Sequence, residues 1–191
     1  MKQFIGNILI FFGIMCYVLV VYSIYERVNP NRISFASGRH TEITTSVNNN
    51  IQPIGISIPR VGIALPVKSS NITNGQWEAI TDGVSYLSNS PVPGTTGNSI
   101  LYGHNWANLL GPLVSVRPKD MIEIVYSDNS KKVFEVEYTV TVSPDETSIL
   151  LPSKDKRITL YTCTGFLDSK RFVVVGILKD DLAKEVIDSG K

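Results

Sequence analysis

From Phe4 to Tyr25 the chain reads FIGNILIFFGIMCYVLVVYSIY, an uncharged apolar run interrupted mainly by Asn7 and Ser23. About 20 apolar residues suffice to cross a hydrocarbon core, so residues 1–25 read as a short amino terminus and a transmembrane helix. A signal peptide is the competing reading, but the run outlasts an ordinary apolar core of that kind and no small-x-small cleavage site closes it. Charge does not orient the helix: Lys2 lies on one side and Arg27, Arg32 and Arg39 on the other, against the positive-inside tendency. Residues 26–50 are polar, lack sustained periodicity and end in three asparagines, the composition of a linker.

From Ile51 the pattern changes to short apolar stretches punctuated by Pro, Gly, Asn and Asp, which is strand and turn chemistry. The clearest strand is Val133–Val142, where Phe134, Val136, Tyr138, Val140 and Val142 alternate with Glu135, Glu137, Thr139 and Thr141. That alternation predicts one buried and one wet face along the whole run. Met121–Tyr126 precedes it, and Ser-Asp-Asn-Ser between them predicts an antiparallel hairpin. Further strands are expected at Ile54–Ile58, Gly62–Val67, Ser99–Tyr102, Arg157–Thr162 and Phe172–Leu178, with a short helix near Gln76–Ile80 and a turn at Asn108–Leu110. So many short strands point to an all-β closed barrel or sandwich over residues 51–179, followed by a polar tail at 180–191.

The 191 residues, less the apolar run and the tail, suffice for one domain with its own core. A formal net charge of +1 gives no broad field, so no nucleic-acid partner is expected. The chain has two cysteines, Cys16 and Cys163, and with Cys16 inside the apolar run they do not form an ordinary disulfide framework. Cys16 could be lipidated or an apolar filler; Gly13-Ile14-Met15 before it does not resemble a lipoprotein box, which favours the filler.

Cys163 ends the strand RITLYTC, where alternation sets Thr159, Tyr161 and Cys163 on one face and Ile158, Leu160 and Thr162 on the other. A lone cysteine is ordinarily an inert core thiol, yet loops that follow a rigid sheet are where reactive groups concentrate. His104, at the end of NSILYGHN, is the one histidine of the barrel region, and His40 falls in the linker. Taken alone, His104 could be structural. A thiol nucleophile needs a proton acceptor and donor, and His is the usual one. Arg171 opens RFVVVGIL, eight positions after the cysteine, on a segment expected to run antiparallel beside it. It is either a surface cation or a group that holds a carbonyl or oxyanion.

The segments PGTTGNSILYGHN, ITLYTC and RFVVVGIL, in this order, resemble the sortase family, with its histidine segment, TLxTC cysteine motif and following arginine. IGISIPRVGIALPV and WEAITDGVSYL are similar to the family's first strands and to the helix leading to its GV segment, so the resemblance covers Ile54–Leu178. It implies an eight-stranded β-barrel and a cysteine transpeptidase. By that analogy Cys163 attacks the Thr-Gly or Thr-Ala bond of an LPxTG-like motif near the C-terminus of an exported protein. His104 then protonates the leaving amine, Arg171 completes the trio, and an amine acceptor such as a peptidoglycan precursor resolves the thioacyl enzyme. Thr162 either helps place substrate or oxyanion or is an ordinary strand residue. The family's anchor implies a single-pass cell-membrane protein with residues 26–191 outside the cytoplasm.

The chain departs from the family where Arg117-Pro118-Lys119-Asp120 replaces a common Gly-Asp turn. No acidic cluster matches the calcium site of some members, so neither metal nor cofactor is expected. The linker lacks the Asp-Pro-aromatic lid of pilus polymerases and no second apolar segment follows the barrel, which disfavours pilin polymerisation. Trp106, Leu109 and Leu110 either wall the site or pack the core. A membrane-tethered peptide-binding module without turnover and a hydrolysing protease are the alternative functions.

Overall fold

In the computed structural model, residues 2–28, 33–35, 51–73 and 75–179 are described. His40, most of the linker and the tail 180–191 lie outside them. The uncharged run forms α1 (Lys2–Val28), whose apolar side chains from Phe4 to Tyr25 are almost all exposed. A helix so apolar on every side has no stable place in water, which makes Gln3–Tyr25 a candidate membrane span.

Among the described residues ten strands follow: β1 (Pro53–Ile58), β2 (Ile63–Ser70), β3 (Ile72–Thr73), β4 (Gln76–Trp77), β5 (Val84–Leu87), β6 (Gly97–Gly103), β7 (Met121–Tyr126), β8 (Lys131–Val142), β9 (Lys156–Thr164) and β10 (Lys170–Leu178). Eight of them close a barrel in the order β1-β2-β5-β6-β9-β10-β8-β7, while β3 and β4 form a separate two-stranded ladder. The β2–β5 and β6–β9 pairings are parallel and the others in the barrel antiparallel. Closure removes the exposed sheet edge that an open array of such strands would present. The chain passes from β2 to β5 in tight contact at Gly83, where a Cβ would lie 2.4 Å from the Pro66 carbonyl oxygen.

Two apolar layers result from the alternation. The barrel interior takes residues from all eight strands, among them Ile58, Val84, Leu101, Ile124, Phe134, Leu160 and Val174. A second layer covers the outer face of β6, β9 and β10 with Ile100, Tyr102, Tyr161, Cys163, Val173 and Val175, together with Trp77, Ile33 and Phe35. Strands with both faces covered carry apolar residues at successive positions, which explains why Val173-Val174-Val175 shows no alternation.

Three sequence expectations change in the structure. The hairpin β7–β8 forms as expected, its turn carrying Asn129 at φ 64°. However, β8 does not keep one buried face. Its pairing with β10 steps from Val136↔Gly176 to Tyr138↔Val175, so Glu137 is a bulge. One extra residue reverses the facing of everything after it. Phe134 and Val136 therefore fill the interior, while Val140 and Val142 join the outer layer. Secondly, no helix forms at Gln76–Ile80. A stretch this short cannot repay helix nucleation, and Trp77 is buried in the outer layer by the β3–β4 pairing instead. Glu78 closes that ladder, its amide donating to the Asn71 carbonyl at 3.1 Å and its carboxylate accepting from Thr73 Oγ1 at 2.7 Å. Thirdly, Ile33 and Phe35, which the sequence leaves inside a polar linker, are each only 1% exposed. Arg117–Asp120 still forms a turn without the glycine, with Lys119 in the left-handed region at φ 74° where a glycine would be relaxed.

Candidate active site

The expected trio gathers on neighbouring segments, Cys163 on β9, Arg171 on β10 and His104 one residue past the end of β6. Across the antiparallel β9–β10 pair, Cys163 is the direct partner of Arg171. Directly opposed residues share a face, so both project on the outer side of the barrel. The parallel β6–β9 ladder runs in register as far as Gly103↔Thr162, and one further step sets His104 level with Cys163. His104, Cys163 and Arg171 thus form one row across the sheet. Thr162 alternates to the other face, where its Oγ1 donates to the Gly103 carbonyl at 2.8 Å. That bond holds the ends of β6 and β9 together beside the histidine and the cysteine.

His104 follows the last residue of β6 and is largely buried. Its ring stacks on Trp106 with centroids 4.6 Å apart and planes 10° from parallel. The Leu110 amide donates to its carbonyl at 3.1 Å, which folds the segment back on itself. Trp106 therefore walls the histidine, whereas Leu109 and Leu110 pack as core. Burial lowers the imidazole pKa below its ordinary 6.5, and the nearby Asp168 carboxylate opposes part of that shift. Burial thus favours the neutral ring, the form able to accept a proton. Asp168 is itself held by Asn105, whose Nδ2 donates to Oδ1 at 2.6 Å.

The turn from β9 to β10 begins at Gly165, φ 80°, and continues through Leu167 at φ 50° and Asp168 at φ 59°. Two successive non-glycine residues in the left-handed region are uncommon. Here the turn aims the Asp168 carbonyl at Arg171, whose NH1 donates to it and to the Lys170 carbonyl at 3.0 Å each. The guanidinium is thereby fixed in orientation, with the side chain 3% exposed.

Arg171 NH2 donates to the carbonyl of Ser34 at 2.9 Å. Residues 33–35 thus lie over the Arg171 end of the row. Phe35 meets Tyr161 edge-on at 4.9 Å and Trp77 at 6.3 Å, with the Arg171 guanidinium 6.0 Å from its ring centre. Beneath it Tyr102 and Tyr161 stack at 5.5 Å, as their register pairing requires, and Trp77 stands edge-on to both. Complete burial drives the Tyr161 hydroxyl pKa far above its usual value. Cys163 belongs to the same buried layer and is 5% exposed. The Thr147–Leu150 turn borders the same layer through Ile149 and Leu150. Asn98 fixes it, its Nδ2 donating to the Ile149 and Leu151 carbonyls at 2.9 and 3.1 Å and its Oδ1 accepting from Thr159 at 2.7 Å. Among the described residues, no group of three or more His, Cys, Asp or Glu is placed to hold a metal ion.

Residues 56–179 match the sortase domain model. The chain belongs to the sortase family. Sortases are cysteine transpeptidases that act on proteins bearing sorting signals. Sortase A of Listeria monocytogenes is 33% identical over 138 residues, covering 69% of this sortase and 59% of that relative. The match therefore spans less than two thirds of the relative's length. A crystal structure of Listeria monocytogenes sortase A superposes with a TM-score of 0.54 at 31% identity, covering 67% of this chain and 88% of that one. Sortase A from Corynebacterium diphtheriae shares the fold, with a TM-score of 0.60 at 23% identity over 85% and 83% of the two chains.

Four elements around the candidate site escaped sequence reasoning: Asp168, Asn105, the aromatic set of Trp77, Tyr102 and Tyr161, and the 33–35 segment. Alternation does place Tyr161 on the face of Cys163. The other contacts join residues far apart in the chain and leave no local pattern.

Proposed function

We propose that this sortase cleaves an LPxTG-like signal of exported proteins through a Cys163 thioacyl intermediate and passes the acyl group to an amine. A cell-wall precursor amine is the acceptor we favour. The observation that carries the reading is the pairing of Cys163 with Arg171 across β9 and β10, with His104 one residue past the paired end of β6. Cys163 Sγ bonds to the scissile carbonyl carbon while His104 takes the thiol proton. The C–N bond then breaks, His104 returns the proton to the leaving amine, and a thioester remains. An incoming amine attacks that thioester, gives its proton to His104, and displaces the cysteine thiolate, which recovers a proton.

Arg171 supplies hydrogen bonds to substrate carbonyls or to the oxyanion, as its present bond to a backbone carbonyl supports. Thr162 serves by holding the strand ends. The chain divides into an anchor at 1–25, a linker at 26–50, the catalytic barrel at 51–179 and a tail at 180–191. A single pass through the cell membrane leaves the barrel outside the cytoplasm. The test is incubation of the full chain with LPxTG-like and LPxTA-like peptides and an amine, following product mass. Cys163→Ala abolishes both the thioacyl adduct and the product. Absence of any Cys163-dependent adduct across the panel would refute the proposal.

A further inference from the structure

The turn that follows Cys163 carries the most exposed large apolar residue of the barrel. Phe166 is 85% exposed and its neighbour Leu167 is 48% exposed. The left-handed backbone at Leu167 and Asp168 fixes the turn, and the Asn105–Asp168 and Arg171–Asp168 bonds brace it from behind. A rigid mount that presents two large apolar side chains outward is a feature of surfaces that enter an apolar phase.

The partner is indicated by what stands beside the turn. Leu167 lines one cleft with Leu19, Val20, Ser23 and Ile24 of α1. Those residues belong to the last two turns of the apolar span Gln3–Tyr25. At about 1.5 Å per residue, Leu19 lies roughly 9 Å along the axis from Tyr25. The span of 23 residues is about as long as a hydrocarbon core is thick, roughly 30 Å. A side chain level with Leu19 to Ile24 therefore lies between the outer part of the hydrocarbon core and its headgroup boundary. The chain adds an independent constraint. Ile33 is seated in the outer layer beside the candidate site, while α1 ends at Val28. Five peptide steps span at most about 18 Å, so the seated segment keeps this end of the barrel at the membrane surface.

We propose that Phe166 and Leu167 form a wedge that inserts into the outer leaflet beside α1 and holds the mouth of the site against the bilayer. The occupant is lipid acyl chain, and exposed Lys170 follows the wedge where it meets headgroups. A sorting-signal protein still held in the membrane would then present its cleavage site at the same depth. The inference rests on the proposed membrane anchorage and enzyme activity.

The experiment uses the full chain reconstituted in phosphatidylglycerol–phosphatidylethanolamine vesicles, with Phe166→Trp compared against the parent protein. The expected result is added emission that is blue-shifted and quenched by lipids brominated near the headgroup, at least about twofold more than for Ile54→Trp on β1. Emission characteristic of water, with no lipid quenching beyond that control, overturns the wedge. In a second arm the double variant Phe166→Ser/Leu167→Ser keeps parental turnover of a water-soluble peptide but loses about tenfold or more with a membrane-embedded substrate. Equal loss on both substrates, or none on either, also overturns it. If the parent enzyme shows no Cys163-dependent turnover, the enzyme reading fails and the quenching still decides the wedge. Turnover without quenching removes the wedge alone.

Discussion

Replacing Phe35 by alanine is expected to expose Cys163 without unfolding the barrel. Phe35 is 1% exposed, and its ring contacts Tyr161, Trp77 and the Arg171 guanidinium. Burying such a side chain contributes about 1.5–3 kcal/mol, and the cation beside it adds roughly 0.5–1 kcal/mol. Loss of about 2–3 kcal/mol from the seating of residues 33–35 raises the open population roughly 30- to 140-fold, since about 1.4 kcal/mol is a factor of ten. Where opening is fast and precedes reaction, thiol alkylation scales with that population. The assay is the rate of iodoacetamide labelling at Cys163 in a Cys16→Ala background, mapped by mass, with thermal unfolding followed in parallel. An unchanged labelling rate in a protein of unchanged Tm would refute the argument that this segment controls access. Phe35→Leu keeps much of the buried area, and its labelling rate is expected between the two.

Removing the fixed guanidinium with Arg171→Ala lowers kcat by roughly 100- to 1,000-fold, the scale of losing an oxyanion donor, as measured by steady-state peptide turnover. Asp168→Asn moves the His104 imidazole titration to lower pH, because the carboxylate is the group that opposes the burial shift; proton NMR reads this, with His40→Gln assigning the second histidine. The unfolded chain titrates His104 near 6.5 and the folded protein lower, so the unfolded state holds more protons between these values. Its contribution to stability is therefore complete above about pH 6.5 and declines as pH falls through the folded value, measured as urea midpoints in the parent and in His104→Gln. Asn98→Ala strands the Ile149 and Leu151 carbonyls and the Thr159 hydroxyl, costing about 1–3 kcal/mol in urea unfolding. Gly83→Ala forces a Cβ to 2.4 Å from the Pro66 carbonyl, and a cost of about 1–3 kcal/mol is expected in the same assay.

Local chemistry in the sequence determined much of this protein. An uncharged run of membrane-crossing length makes a helix whatever follows it. Met121–Tyr126 and the alternating start of β8, joined by a polar turn, make a hairpin because period-two patterning and turn residues act within a few positions. The order of the histidine, cysteine and arginine segments sufficed to identify the family, and the strand positions of Cys163 and Arg171 already implied a shared edge. What the tertiary structure decided was non-local. Whether Glu137 bulges depends on the β10 partner across the ladder, and that one residue sends Val140 and Val142 to the opposite face. Trp77 chose a strand over a helix because a distant aromatic pocket could bury it. Ile33 and Phe35 look like scattered apolar residues in a polar linker until Tyr161, Trp77 and Arg171 are brought beneath them. Burial and hydrogen-bond partners supplied from elsewhere in the chain carry enough free energy to override weak local preference, and no window of sequence contains both sides of such a contact.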